Sequence, residues 1–166
     1  MTGSESKLPQ ARAGLLLLGA ALLLAPTRAG AAAEAEPGAP TTVEITVQVI
    51  AASNGSRGVD KRLAQLQKRL KDFNFSSYEL LSEHTFKLGL NSEETLPLPD
   101  GRSLEVTPRK FERSGMIRVH LHVRAENQTK LVDTEYAIER GGDLVVGGMK
   151  HGDGALLLAL HHQAAK

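Results

Sequence analysis

Three stretches of this chain carry residues able to do chemistry. The sharpest is Arg118-Val119-His120-Leu121-His122-Val123-Arg124. Side chains of a strand alternate between its faces, so His120 and His122 point the same way, as do Arg118 and Arg124. Two imidazoles at that spacing are candidate ligands for a Zn or Cu ion. Charge pairing explains the same pattern without a metal. Val119, Leu121 and Val123 hold the apolar side, which turns the histidines outward, toward Asp133 and Glu135 of the following stretch. Cross-strand pairs of that kind contribute roughly 0.2–1 kcal/mol each. The sequence places no third ligand.

The second stretch is Gly147-Gly148-Met149-Lys150-His151-Gly152-Asp153-Gly154. Glycines let backbone N–H groups crowd around an anion, which makes Lys150, His151 and Asp153 candidate ligand contacts. No helix follows, and the phosphate-loop pattern G-x-x-x-x-G-K-[ST] is absent. The reading without a ligand, a long Gly-rich hairpin between the last two strands, fits the stretch better. The third is a basic face formed by Lys61, Arg62, Lys68, Arg69 and Lys71. It suits either contact with anionic lipid or cell-wall polymer, or plain solvation of a helix whose other side is core. Nucleophile chemistry has no support: there is no Cys, no G-x-S-x-G and no H-E-x-x-H. His161 and His162, adjacent near the chain end, are expected to fray and to point to opposite sides. The expectation is a non-enzymatic protein without a cofactor.

These residues need elements to hold them. Thr42–Ala51 alternates, with Val43, Ile45, Val47 and Val49 on one face and Glu44, Thr46 and Gln48 on the other, as in a half-buried strand. Asp60 follows a Gly-rich break and can cap a helix whose apolar stripe is Leu63, Leu66, Leu70 and Phe73. Tyr78, Leu80, Phe86, Leu88 and Leu90 share one parity, with Ser82 and His84 suggesting a bend. Asp100-Gly101 separates Thr95–Pro99 from Ser103–Thr107, a hairpin signal. Met116–Arg124, Lys130–Glu139, Asp143–Val146 and the apolar Ala155–Leu160 complete the strands. This predicts an α+β, mostly β fold: one helix after the first strand, then an antiparallel meander closed as a sandwich or partial barrel.

The N-terminus carries a different signal. Lys7 and Arg12 precede Ala13–Ala25, an unbroken run of Ala, Gly and Leu, and the A-x-A sites Ala29-Gly30-Ala31 and Ala31-Ala32-Ala33 follow. That order describes a secretory signal peptide over residues 1–31. A run of 13 residues makes roughly 20 Å of helix, short of the ~30 Å hydrocarbon core of a bilayer. Residues 32–40, rich in Ala, Pro and Gly, form a flexible lead, and 41–163 one β-rich domain. No membrane span is expected after cleavage. The missing cysteines favour a bacterial periplasm or exterior over the eukaryotic secretory route, where small domains gain disulfides. Three sequons, at Asn54, Asn74 and Asn127, would matter only in a glycosylating host.

Of 20 basic and 19 acidic groups, Lys7, Arg12, Arg28 and Glu5 lie within residues 1–31, which leaves 17 and 18 and a net charge of −1. A nearly neutral domain lacks the electrostatic footprint of a nucleic-acid binder. With aromatic residues at only 4%, the core must be aliphatic.

Leu98-Pro99-Asp100-Gly101-Arg102-Ser103-Leu104-Glu105-Val106 and Gly142-Asp143-Leu144-Val145-Val146-Gly147-Gly148, with the closing Gly154–Leu158, resemble small exported proteobacterial domains of unassigned function, myxobacterial ones among them. The resemblance covers about residues 42–162 and implies a fold rather than an activity. Val145-Val146-Gly147-Gly148 is also similar to a hairpin of outer-membrane secretins, which continue with a Pro-rich lip segment that this chain lacks. Together these features point to an exported, non-enzymatic module, periplasmic or extracellular, that binds a protein or a cell-wall component. The competing expectation is a periplasmic metal- or small-ligand-binding domain using His120 and His122 or the Gly147–Gly154 loop.

Overall fold

The computed structural model describes residues 41–163. The signal peptide and the flexible lead expected over residues 1–40 lie outside them. Eight strands are present: β1 (Thr42–Ser53), β2 (Ser77–Gly89), β3 (Glu94–Pro97), β4 (Ser103–Phe111), β5 (Ile117–Arg124), β6 (Lys130–Ile138), β7 (Asp143–His151) and β8 (Gly154–His162). Among the described residues strand accounts for 60% and helix for 8%, which sets the class as mostly β. All ladders are antiparallel and form two four-stranded sheets, ordered β2-β1-β8-β7 and β3-β4-β5-β6, in a sandwich-like arrangement. The antiparallel run closes through β8, which returns to lie between β1 and β7.

The alternation of β1 has its expected consequence. Val43, Ile45, Val47 and Val49 are buried with Leu104, Val106, Val119, Leu121 and Val123 of the second sheet and with Leu156, Leu158 and Leu160 of β8. Burying such a side chain contributes roughly 1.5–3 kcal/mol, so an aliphatic core needs few aromatic anchors. β8 is apolar on both faces because it is covered twice. Its other face, Ala155, Leu157 and Ala159, packs with Leu63, Leu66 and Leu70 in a separate cluster.

Those leucines belong to one helical segment, a 3-10 helix over Lys61–Leu66 continued by an α-turn over Gln67–Leu70. Their spacing fits that change of winding. Leu63 and Leu66, three apart, eclipse in a 3-10 helix, and Leu70 follows four later on the α-turn. The Asp60 carboxylate caps the segment by accepting from the Arg62 backbone N–H at 3.0 Å.

Of the four register shifts along the ladders, two shape the first sheet and were hidden in the sequence. Val49 pairs with Ser82 and Ile50 with Leu80, which leaves Leu81 without a partner. The extra residue flips the strand, so Tyr78 and Leu80 join the helix-side cluster while Phe86 and Leu88 face the sandwich interior. One shared parity therefore serves two faces. In β7 the pairing jumps from Val146–Leu158 to Met149–Leu156, and Gly147 and Gly148 form the bulge. A Cβ on Gly147 would lie 2.2 Å from Leu157 Cδ2 and 2.7 Å from the Phe73 ring. Glycine is required there by close packing, not by a ligand.

Candidate functional site

The helical segment covers only part of the outer face of the first sheet. Beneath it lie Ile50, Ala52, Leu80 and Leu157. Further along the same face, the register sets Thr85, Thr46, His161 and Asp143 in one row across all four strands. Gln48 sits between Glu83 and Ala159 in the neighbouring row. The uncovered polar rows form the floor of an open groove of about 450 Å³, with Arg62, Gln65 and Leu66 as its wall and Gln163 at its end. The polar residues of β1, present in the sequence only as a solvated strand face, thus line a cleft of ligand-binding size.

The groove is wired but not saturated. Thr46 Oγ1 lies 2.9 Å from Thr85 Oγ1 and accepts from Gln163 Nε2 at 3.0 Å. Gln48 Nε2 donates to Glu83 Oε2. His161 Nδ1 is 2.8 Å from Asp143 Oδ1. A carboxylate can only accept, so Nδ1 carries the proton and Nε2 is left as an acceptor in the neutral ring. Arg62 donates to Asp60 Oδ2 at 2.6 Å and to the Leu80 carbonyl at 3.1 Å. These bonds to Arg62 hold the Asp60 carboxyl at about 2. Among the described residues, the Gln65 amide, Glu83 Oε1 and His161 Nε2 take no hydrogen-bond partner. Such free, convergent capacity suits a polar ligand.

The second sheet presents the face read first in the sequence. His120 and His122 do share it, with ring centroids 6.3 Å apart. Each is held by a carboxylate from a neighbouring strand: His120 Nε2 lies 2.7 Å from Asp133 Oδ1, and His122 Nδ1 lies 3.0 Å from Glu105 Oε2. Asp133 was the expected partner, whereas Glu105 of β4 was not anticipated. Arg124 also donates to Glu105 at 3.2 Å, and Lys130 to Asp133 at 2.7 Å. Lys130 first and His120 second hold the Asp133 carboxyl at about 2. His122 is only 8% exposed, and its Nε2 is buried without a partner. The described residues contain no group of three or more His, Cys, Asp or Glu side chains placed to hold a metal ion. As a metal centre the pair stops at two ligands.

The Gly-rich stretch forms the expected hairpin between the last two strands, with most of its glycines in strand rather than in the connection. β7 runs to His151 and β8 starts at Gly154, so the turn is only Gly152-Asp153. Lys150 is exposed on the strand, its carbonyl accepting from Arg102 Nη2 at 2.6 Å. His151 Nδ1 lies 2.7 Å from Asp100 Oδ2 in the β3–β4 turn, a bond that lowers the Asp100 carboxyl. Lys150 and His151 tie two hairpins of opposite sheets together, while Asp153 stands exposed in the turn. None of the three lines the groove of the first sheet.

His161 and His162 overturn the expectation of fraying, since both belong to β8. They do point to opposite sides. His161 lines the groove. His162 is 4% exposed, 6.5 Å from the Phe111 ring. Burial pushes its imidazole below the ordinary value, and Arg140 and His161 act in the same direction against carbonyl contacts at Ile138 and Glu139. No protein-family model, curated protein or solved structure matches the chain.

Proposed function

We propose that this chain is an exported, non-enzymatic binding module that holds a component of a bacterial cell envelope in the groove of its first sheet. The observation that carries this is the groove itself. Residues from four strands and the helical segment converge on about 450 Å³ with unmatched hydrogen-bonding capacity, and of them only Leu66 belongs to the core. Export rests on the basic start, the apolar run Ala13–Ala25 and the small residues after it. A mature start near Ala32 or Glu34 follows, and a recovered protein whose intact mass retains Leu15–Leu24 would rule export with cleavage out.

Binding is tested by co-sedimentation of the mature chain with isolated cell envelopes. The double variant Gln48→Ala, Glu83→Ala removes two groove side chains that no core contact requires, and retention is expected to fall at least tenfold. Unchanged retention with intact folding would locate binding outside the groove and overturn the proposal.

A further inference from the structure

Resting on that groove as the binding site, we propose that its ligand is a neutral, polyhydroxylated one: a saccharide unit within a longer glycan. The lining decides between ligand classes. Leu66 is the only leucine, isoleucine, valine or aromatic among the lining residues, which disfavours an apolar ligand. Glu83 and Asp143 are both anionic, whereas Arg62 is already bonded to Asp60. The remaining field is negative, opposing a phosphate or carboxylate ligand.

A cationic ligand fails for a different reason. An ammonium group only donates, so it would match the carboxylates and His161 Nε2 but leave the Gln65 amide N–H groups, unlike those of Gln48 and Gln163 without an acceptor among the described residues, facing a group that cannot accept. A hydroxyl both donates and accepts. Amides, threonine hydroxyls, carboxylates and an acceptor imidazole side by side provide what a row of ligand hydroxyls requires. Asp143 contributes by fixing the His161 tautomer, so that Nε2 is an acceptor without reorganisation. The groove is open rather than enclosed, which lets a polymer continue beyond the bound unit. No Phe, Tyr or Trp ring is among its lining residues, so recognition depends on hydrogen bonds more than on ring stacking, and a single unit binds weakly.

The test is an NMR titration of the mature chain with four probes: a trimer of N-acetylglucosamine, a neutral glucose trimer, spermidine and inorganic phosphate. Saturable shifts confined to amides around Thr46, Gln48, Gln65, Thr85 and Gln163, produced by either trimer and weakened at least tenfold by Gln65→Ala, are the expected result. A preference for the N-acetylated trimer would point to wall glycan as the source, and a preference for the glucose trimer to an exopolysaccharide. His120→Ala, on the opposite sheet, should leave the titration unchanged. Groove shifts with spermidine or phosphate but neither trimer would overturn the saccharide class while groove binding stands. Silence from all four probes, with groove-dependent retention on envelopes, overturns the class alone. Silence together with groove-independent retention overturns both.

Discussion

The outer faces of the two sheets are built from similar residue types and end in opposite states. On the second sheet, His120, His122, Arg118 and Arg124 find Asp133, Glu105 and Glu112, and the charged groups answer one another across neighbouring strands. On the first sheet, the helical segment shields part of the face, and Gln65, Glu83 Oε1 and His161 Nε2 line the groove with no partner among the described residues. Polar residues on a strand are therefore not equivalent. Cross-strand partners hold groups on both faces, and His122 Nε2 is left buried without one; what sets the first face apart is that its unused groups line an open groove.

Changes to the wall of the groove should have the largest effect. Leu66 is 4% exposed and belongs to the cluster joining the helical segment to β1, β2 and β8. Leu66→Asp buries an unpaired charge and should cost several kcal/mol in denaturant unfolding. Wild-type stability of that variant would mean the helical segment is not fixed to the sheet, and the contrast between the two faces would dissolve.

Acid should separate two groups of residues. The His162 imidazole is held below the unfolded value of about 6.5. The unfolded chain therefore takes up a proton first, and stability declines as pH falls from about 6.5. The carboxyls of Asp133 and Asp60, held at about 2, and of Asp100 and Glu112, also lowered, act later. Their contribution is complete above about 4 and is lost as pH falls from there toward 2. Melting temperature followed from pH 7 to 2 should show both limbs, and His162→Phe should remove the upper one only. An upper limb that survives the substitution would assign it to another group.

The smallest effect belongs to the paired face. His120→Ala deletes one partly exposed pair, leaves Asp133 with Lys130, and should cost no more than about 1 kcal/mol. Added Zn²⁺ should leave the melting temperature unchanged. A metal bound by the native state alone at a hundredfold excess over its dissociation constant would add about 2.7 kcal/mol. A zinc-dependent rise abolished by His120→Ala would turn the paired face into a binding site.

Local signals were legible in the sequence: the alternation of β1, β5 and β6, the Asp60 cap, the Asp100-Gly101 turn and the unbroken apolar run of β8 each follow from neighbours a few residues apart. What escaped depends on distant pairing. Leu81 is extra only because Ile50 meets Leu80 and Val49 meets Ser82. Gly147 reads as a loop residue until Phe73 and Leu157 are known to press on its backbone. The groove row Thr85-Thr46-His161-Asp143 spans more than a hundred positions, and no short motif encodes that register. The visible half of it was the polar parity of Thr46 and Gln48.

Hydrogen–deuterium exchange of the mature chain, with and without isolated envelope polysaccharide, tests most directly which face receives the ligand. Groove binding predicts added protection around residues 46–48, 62–66, 83–85 and 161–163, with β4, β5 and β6 unchanged. Protection confined to the strands bearing Glu105, His120, His122 and Asp133 would contradict it.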